Sequence, residues 1–374
     1  MPKLKVLTKT PAQLGYTFPA EWAKQEATWF SWPRPEGISF PGKYHTIPQN
    51  IAAIMRQITP RQWVYVNVPN DNWEYIVRAQ LKECGVDLKR VKFFHIKTNE
   101  NWCRDHGPAF VVNKKGQRAI VDWGFNAWGG KYAPYDADDD VPSEIAFQLG
   151  LPVFYPRKTP FITKTPGQLV AKIERPLVIM EGGAVEFNGA GTVLTTTDCL
   201  LNKNRNPDLS QAQVEQYLKD YYGQTNVCWL TGGIEGDDTD GHVDDLARFI
   251  SPTKLVMSIE SDPKDANYKV LKRARKQADN LRDQAGRPFE IIELPMPGPV
   301  EHDSERLPAT YINFLFINRA CLVPTFGPKS RDKKAIDILQ SHLPKHEVIG
   351  IDCHELIWGL GAIHCLTQQM PAGK

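Results

Sequence analysis

No Cys-x-x-Cys pair occurs in this sequence, and its seven cysteines are an odd number. They stand at positions 84, 103, 199, 228, 321, 353 and 365. Disulfide scaffolds and thiolate zinc sites both depend on paired cysteines at short, regular spacings. We therefore expect neither. We predict free thiols in a reducing compartment, most of them buried like small apolar side chains.

Long apolar runs and a surplus of one charge are also missing. No stretch approaches the roughly 18–20 apolar residues that cross a bilayer, and the N-terminus lacks a signal-peptide core of about 7–15 apolar residues. The 45 basic and 43 acidic residues nearly balance, and no basic arm stands out. We expect a soluble, cytoplasmic protein with no membrane or nucleic-acid partner, and homo-oligomerisation stays open.

Five strand-like segments, rich in Val, Ile and aromatic residues, end in polar or glycine-rich loops. They are 91–99, 151–159, 225–233, 287–295 and 345–353. Helical patterns precede three of them, at 210–222, 267–284 and 333–343, and Asp208 and Ser210 suit the start of the first helix. Hairpin signals lie at 110–123, 185–197 and 312–326.

A unit of hairpin, helix, strand and loop, repeated about five times, predicts an α/β fold. Such units cannot each bury an apolar face alone, whereas packing around a closed ring would bury all five. The loops that follow the strands would then meet at one end of the ring. We expect a single domain over residues 1–374, with its site at that end.

Two loops carry carboxylates with different predicted roles: Asp105 could hold a small cation, and Glu181 could orient a histidine from a neighbouring repeat. Trp102 and Asp105 lie in NWCRDHGPAF (101–110), directly after the first strand segment. Glu181 enters a Gly-Gly step in 181–192, where another segment can approach the backbone closely. Taken alone, each loop is explained better by a turn, with Asp105 paired to its neighbouring arginine and Glu181 as a capping or turn residue.

The acidic segment 235–249 surrounds a histidine, His242. A calcium loop aligned on its central glycine would place Gly236 and Ala247 where acidic ligands are required, so that template fails. A zinc site would need more histidine or cysteine nearby. In an extended segment His242 and Asp244 point to the same face, which suits an acid/base pair in one pocket, although a solvated acidic turn is the simpler alternative.

The segment GAIHCLTQQMP (361–371) holds Cys365 behind Gly359 and Gly361, which loosen the backbone. A free cysteine with a pKa of about 8.5 is only a few per cent thiolate at neutral pH, so a nucleophilic cysteine needs a histidine or a cation nearby. A buried structural thiol is the simpler reading of this residue taken alone. Together, however, the four motifs supply a nucleophile, a base, an orienting group and two carboxylates. Paired carboxylates match the planar donor fork of a guanidinium.

These motifs resemble the agmatine deiminase family, a group of guanidine-modifying enzymes often classed with Porphyromonas-type peptidylarginine deiminases. The resemblance rests on WCRDHGP, EGGAVEFNGAGT, DDTDGHVDDLARF and GAIHCLTQQMP, with NAWGGKYAPYDADDDVP at 126–142 in addition. It covers nearly the whole chain in the family's order. Departures fall at Asp240, Asp245 and Ala362, where members read NGHVDN and GGGNIHC. The resemblance implies a pentein fold, a five-bladed α/β propeller of ββαβ-like repeats around a pseudo-fivefold axis.

The resemblance also implies roles for the matching positions. Cys365 matches the nucleophile, His242 the general acid/base, and Glu181 the glutamate that orients that histidine. Asp105 and Asp244 match the carboxylates that grip the guanidinium, and Trp102 matches an aromatic residue of the substrate channel. Asp238 lies where an acidic group meets the distal amine of agmatine, and the stretch from Asp136 to Asp140, read as a solvated loop, would add to the field at the mouth.

The expected reaction is hydrolysis of agmatine to N-carbamoylputrescine and ammonia through a covalent thiouronium intermediate. Covalent and acid/base catalysis cover both steps, so no metal or organic cofactor is expected. A peptidylarginine or arginine deiminase, an amidinotransferase and a non-catalytic binding protein remain as alternatives. An acidic far end of the pocket would favour agmatine, and a basic one would favour the carboxylate of arginine.

Overall fold

A computed structural model describes residues 4–158, 176–327 and 329–373 of the chain. Within these ranges the helices are α1 (Ile47–Ile58), α2 (Asp71–Glu83), α3 (Cys103–His106), α4 (Ala127–Gly130), α5 (Asp136–Leu149), α6 (Thr197–Leu200), α7 (Gln211–Tyr222), α8 (Asn267–Ala278) and α9 (Lys329–His342). None of the helices so described is long and apolar enough to cross a membrane.

The strands of the same ranges alternate with these helices along the chain. They are β1 (Tyr16–Thr17), β2 (Gln25–Ser31), β3 (Trp63–Val68), β4 (Val91–His95), β5 (Ala109–Asn113), β6 (Arg118–Val121), β7 (Val153–Phe154), β8 (Val185–Phe187), β9 (Thr192–Thr196), β10 (Asn226–Leu230), β11 (Ala247–Ser251), β12 (Lys254–Ile259), β13 (Glu290–Pro295), β14 (Glu301–His302), β15 (Glu305–Arg306), β16 (Leu315–Ile317), β17 (Ala320–Thr325), β18 (Glu347–Asp352) and β19 (Thr367–Pro371).

Five of the sheets share one pattern, in which an antiparallel pair is extended by a parallel strand. Their strand orders are β1-β5-β6-β7, β8-β9-β10, β11-β12-β13, β16-β17-β18 and β19-β2-β3-β4. The antiparallel pair of the last sheet joins β19 to β2, from opposite ends of the described chain. Strands β14 and β15 form a separate two-stranded hairpin. The α/β class and the repeated unit predicted from the sequence are therefore confirmed.

The predicted elements coincide with observed ones, except at some boundaries. Each of the five strand segments contains a strand, β4, β7, β10, β13 or β18, and residue 159 of the second segment lies outside the described residues. Ser210 caps α7 through a reciprocal capping box with Gln213, which is the local reason for a helix there. Helix α8 stops at Ala278, earlier than predicted, and α1, α2 and α5 were not predicted.

The acidic stretch from Asp136 to Asp140 is not a solvated loop. It forms the first turn of α5, where the carboxylate of Asp138 is buried and accepts hydrogen bonds from the backbone N–H groups of Asn99 and Glu100. Acidic side chains in a first helical turn also face the positive end of the helix dipole. Asp138 therefore fixes the loop between β4 and α3, and the prediction of a solvated loop for this stretch was wrong.

The largest apolar core lies between the sheets and the outer helices. Phe30 of β2, Ile51 of α1 and Leu322 of β17 belong to it, and each is at most 1% exposed. Burial of such side chains stabilises the fold by about 1.5–3 kcal/mol each relative to exposure.

A guanidinium is buried where several of these sheets meet. Arg248 of β11 is fully buried, and its nitrogens donate to Glu186 of β8 at 2.7 Å, to Glu21 at 2.9 Å and to the carbonyl of Phe314 at 2.7 Å. Burial raises the pKa of Glu186 to about 7, although Arg248 opposes the shift. The three partners come from segments far apart in sequence, so one cation joins β11, β8 and the segments that precede β2 and β16.

Substitution of Arg248 should lower the stability of the fold far more than substitution of a surface cation. We expect Arg248→Met to lower the free energy of unfolding by about 3–5 kcal/mol, because it leaves two carboxylates buried without their cation. Urea denaturation at neutral pH measures the change. The control is Lys333→Met, which removes an exposed pair with Asp337 and should change stability by less than about 1 kcal/mol. Equal effects of the two substitutions would contradict the structural role of Arg248.

Candidate active site

Three of the four motifs meet around a glycine. A Cβ atom added at Gly183 would lie 2.5 Å from Nδ1 of His242, 2.9 Å from Oδ1 of Asp105 and 3.1 Å from Oδ1 of Asp244. At its neighbour Gly182 the added atom would lie 2.1 Å from the carbonyl oxygen of Arg104. Such contacts exclude any side chain, so the Gly-Gly step predicted to allow a close approach does allow one.

Asp105 lies in the short helix α3 and is almost fully buried. Its Oδ1 accepts a hydrogen bond from the backbone N–H of Gly183 at 3.0 Å, and its Oδ2 accepts one from Nε1 of Trp128 at 3.0 Å. Asp105 does not hold Arg104 by a local ion pair; that arginine donates to Gln369 at 2.6 Å instead. Burial, and then the charges of Asp244 and Glu181, raise the pKa of Asp105 above its usual range, against the opposing effect of His242.

Asp244 is completely buried, and its two oxygens have different surroundings. Oδ2 lies 2.6 Å from Nδ1 of His364, whereas Oδ1 has no hydrogen-bond partner among the described residues. Burial would raise the pKa of this carboxyl, but His364 and then His242 and Arg248 hold it below its usual range. Asp244 is therefore ionised, with one oxygen free to accept a donor.

His242 is buried between the two aspartates. Its Nδ1 lies 3.7 Å from Oδ1 of Asp105 and 3.9 Å from Oδ1 of Asp244. Burial disfavours its charged form, yet Asp105 and then Cys199 and Asp244 raise the pKa of His242 well above its usual range. The ring is therefore protonated at neutral pH in the free protein, and it can give a proton away.

Glu181 stands behind His242 without a direct hydrogen bond between them in the described structure. One of its oxygens, Sγ of Cys199 and a ring nitrogen of His242 lie within 4.8 Å of one another. The strongest contact of Glu181 is to Nε of Arg205, at 2.6 Å, and both side chains are fully buried. Arg205 also donates to Asp240, so the segment 237–241 is tied to Glu181 through this arginine.

Cys365 lies in the turn that leads into β19, and its thiol is buried beside carboxylates. Asp244, Asp245 and Cys365 have ligand atoms within 4.8 Å of one another. Burial, and then Asp244, Asp245 and Asp105, raise the pKa of the Cys365 thiol well above its usual range. In the free protein the surroundings of this thiol thus favour a cation, and they disfavour a thiolate until a cation is bound.

Sequence reasoning missed Asn313, which touches the thiol. Its Nδ2 lies 3.1 Å from Sγ of Cys365 and 3.0 Å from Oδ1 of Asp245, and its Oδ1 accepts the backbone N–H of His364 at 3.0 Å. Asn313 stands in YINFLFI, which was read only as part of a hairpin. An amide within such an apolar run was the available signal, because a buried amide needs partners.

A cavity of about 350 Å³ leads from the surface to Cys365 and Asp105. Trp102 lines it, with Nε1 donating to Ser39 at 2.8 Å, and the indole packs on two glycines. Added Cβ atoms at Gly359 and Gly361 would lie 2.9 Å and 2.6 Å from that indole. The two glycines therefore make room for Trp102, which the sequence interpretation as backbone loosening did not foresee.

The far part of the cavity is lined by acidic and aromatic side chains. Asp238 lines it and accepts a hydrogen bond from the hydroxyl of Tyr132. Lys131, the residue after α4, donates to the backbone carbonyl of Asp238 and, at 2.9 Å, to the side chain of Asp240. These two contacts hold the segment around Asp238 against the end of α4. His302 and Trp358 also line the cavity, with ring centroids 3.3 Å apart. No lysine or arginine is among the described residues that line it.

Possible metal ligands are grouped in two parts of this site. Glu181, Cys199 and His242 form one group, and Asp244, Asp245 and Cys365 form the other. In the first group Arg205 already neutralises Glu181, and in the second the thiol lies at the end of the open cavity.

The chain is similar to known proteins over nearly its whole length. Residues 17–371 match the family described as Porphyromonas-type peptidyl-arginine deiminase. An agmatine deiminase of Pseudomonas syringae pv. tomato is 35% identical over 394 aligned residues, which cover 99% of both chains.

Two solved structures are similar over nearly the whole chain. An Enterococcus faecalis agmatine deiminase, catalysing its reaction, has a TM-score of 0.85 at 30% identity and covers 99% of this chain and 100% of its own. A C. jejuni agmatine deiminase with substrate bound has a TM-score of 0.81 at 31% identity and covers 96% of both chains.

The acidic surroundings of the thiol predict an unusual pH dependence of alkylation. Because the pKa of Cys365 is raised, we expect its reaction with neutral iodoacetamide to be slow near pH 7 and to rise about tenfold per pH unit towards pH 9. Cationic chloroacetamidine should react faster at pH 7, because its charge offsets the carboxylates. Peptide mapping identifies the alkylated cysteine. A plateau of the iodoacetamide rate already at neutral pH would contradict the raised pKa.

Proposed function

The chain belongs to the Porphyromonas-type peptidyl-arginine deiminase family, and we propose that it hydrolyses agmatine to N-carbamoylputrescine and ammonia. The observation that carries this proposal is the group of carboxylates around one buried thiol. Asp105, Asp244 and Asp245 all raise the pKa of Cys365, so the free site favours a bound cation. A guanidinium is a planar cation that carboxylates bind through paired hydrogen bonds.

We propose that the five mixed sheets are the blades of a pentein propeller, arranged around a pseudo-fivefold axis in a single domain. The shared pattern of an antiparallel pair extended by a parallel strand supports this arrangement. The pairing of β19 with β2 supports closure, since it completes one sheet with strands from both ends of the chain. We also propose a reducing, cytoplasmic location, supported by the seven free thiols.

The guanidinium is held between Asp105 and Asp244, with its central carbon next to Sγ of Cys365. The free Oδ1 of Asp244 supports this placement, because a buried carboxylate oxygen without a donor costs about 1–3 kcal/mol or more. The bound cation lowers the cost of a thiolate, and Nδ2 of Asn313, 3.1 Å from Sγ, donates to it. Binding of the substrate therefore favours loss of the thiol proton of Cys365 to water, and the resulting thiolate is the nucleophile.

In the first step the thiolate attacks the guanidinium carbon, and a carbon–sulfur bond forms. His242, protonated in the free site, gives its proton to one terminal nitrogen, and the bond from that nitrogen to carbon breaks to release ammonia. A thiouronium remains on Cys365. The positive charge of His242 depends on Asp105 and Asp244, and Glu181 supports the ring from behind.

In the second step neutral His242 takes a proton from water, whose oxygen bonds to the same carbon. The carbon–sulfur bond then breaks, the hydroxyl proton passes to the departing sulfur to restore the thiol, and the ureido product is released. Both steps use a nucleophile and a single acid/base, so the proposed mechanism needs no metal or organic cofactor. The buried site contributes positioning, which in favourable cases supplies about 7–11 kcal/mol of the barrier.

The nucleophile is tested by its hydroxyl analogue. We expect Cys365→Ser to fold normally and to lose essentially all ammonia release from agmatine, because the serine hydroxyl is not ionised here. The control is Cys84→Ser, since Cys84 lies half-buried at the end of α2, and it should keep wild-type activity. Near wild-type turnover by Cys365→Ser would refute the covalent mechanism.

The substrate class is tested at the far end of the cavity, where Asp238 would meet the distal amine of agmatine. We expect Asp238→Asn to lower kcat/KM for agmatine by at least about tenfold, the effect of losing about 1.4 kcal/mol from one charge contact. Labelling of Cys365 by chloroacetamidine should stay near the wild-type rate, because that reagent has no distal amine.

The matched control for this test is Asp337→Asn on the exposed face of α9, which should change neither rate. Equal losses for agmatine and chloroacetamidine would place Asp238 in the reaction itself or in the fold. Unchanged rates with both would remove the support for agmatine and favour an arginine-type substrate.

A further inference from the structure

The proposed chemistry makes no use of the buried histidine that precedes the nucleophile. His364 is 1% exposed, and its ring lies between two carboxylates, with Nδ1 2.6 Å from Oδ2 of Asp244 and Nε2 2.7 Å from Oε2 of Glu21. We propose that His364, backed by Glu21, is a positioning residue that fixes the plane of the Asp244 carboxylate for the substrate guanidinium. This inference rests on the proposed function.

The division of roles between the oxygens of Asp244 supports this assignment. Oδ2 is bound by His364 and lies 3.5 Å from Nδ2 of Asn313, so it already has hydrogen-bond partners within the protein. Oδ1 has no partner among the described residues and lies 3.9 Å from Nδ1 of His242, on the side of the reacting groups. A carboxylate turns readily about its Cβ–Cγ bond, and a short hydrogen bond to one oxygen fixes where the other points.

Glu21 is itself held firmly, so it can anchor the histidine. Its Oε1 accepts the backbone N–H of Phe316 at 2.7 Å, and its Oε2 accepts a hydrogen bond from Arg248 at 2.9 Å. Arg104 is a second cation beside Glu21, with a guanidinium nitrogen 3.5 Å from Oε2. A continuous chain of contacts thus runs from the buried cation Arg248 through Glu21 and His364 to Asp244.

The number of protons in this chain explains why a histidine suits the position. Ionised carboxylate oxygens only accept hydrogen bonds, so the two contacts of His364 require two protons. A neutral imidazole carries one, and the second belongs to the ring or to one of the carboxylates. A ring held at both nitrogens cannot rotate, and Asp244 therefore keeps one orientation before and after substrate binds.

Two substitutions separate the two contacts of the ring. Asparagine places an amide nitrogen near the position of Nδ1, and glutamine places one near Nε2. We expect His364→Asn to keep the contact with Asp244, and to react with chloroacetamidine within about threefold of the wild-type rate. His364→Gln keeps the contact with Glu21 alone, and its rate should fall by at least about tenfold, as expected when a buried charged hydrogen bond is lost. The kcat/KM for agmatine should follow the same order.

Neutral iodoacetamide distinguishes positioning from general structural damage. Damage to the fold would slow its reaction with Cys365, whereas loss of positioning would not. Its reaction with Cys365 does not need Asp244, so it should proceed at the wild-type rate in both variants. The control is His354→Asn, the same exchange at an exposed histidine, and it should change no rate. Loss of both reagents' reactivity in parallel, or equal chloroacetamidine rates for the two variants, would overturn the positioning role.

Glu21→Gln provides a second test if the histidine variants do not fold. It removes the anchoring charge without changing the size of the side chain, and it should slow chloroacetamidine while sparing iodoacetamide. A wild-type ratio of the two rates in this variant would also overturn the proposal.

The ratio of the chloroacetamidine and iodoacetamide rates does not depend on agmatine. If it changes as expected while wild-type protein releases no ammonia from agmatine, the positioning role holds for a guanidinium site and the agmatine proposal fails.

Discussion

A buried positive charge sets the arrangement of this protein. Arg248 has no access to water, so its guanidinium must find acceptors within the protein, and it finds them in Glu21, Glu186 and a backbone carbonyl. These acceptors come from separate segments, and each must be in place for the charge to be tolerated. This buried charge is also connected to the candidate active site, because Glu21 binds both Arg248 and His364, the residue next to Cys365.

Local signals explain how much of the fold the sequence revealed. The strand segments and the helix after Ser210 depend on periodicity and capping, which neighbouring residues decide. The helix beginning at Asp136 depends on tertiary contacts instead. A carboxylate such as Asp138, buried to bind the backbone of residues 99 and 100, looks in sequence like a solvated charge.

The residues proposed for the site lie in compact motifs of the sequence, whereas the groups that support them do not and were missed. Asn313 and Glu21 are single residues in ordinary segments, and only long-range pairing brings them to the thiol and to His364, which is 343 residues from Glu21. Gly359 and Gly361 were noticed, yet their reason is the indole of Trp102, a contact that no sequence spacing announces.

The position of Cys365 two residues before β19 has a consequence for folding. That strand is placed by pairing with β2, where Thr367 faces Phe30, and a contact between such distant segments closes a very long loop. Contacts of this kind cost the most chain entropy and tend to form late. The carboxylates can therefore assemble before Cys365 joins them, and during refolding the recovery of thiol reactivity towards cations should mark the final step rather than the collapse of the core.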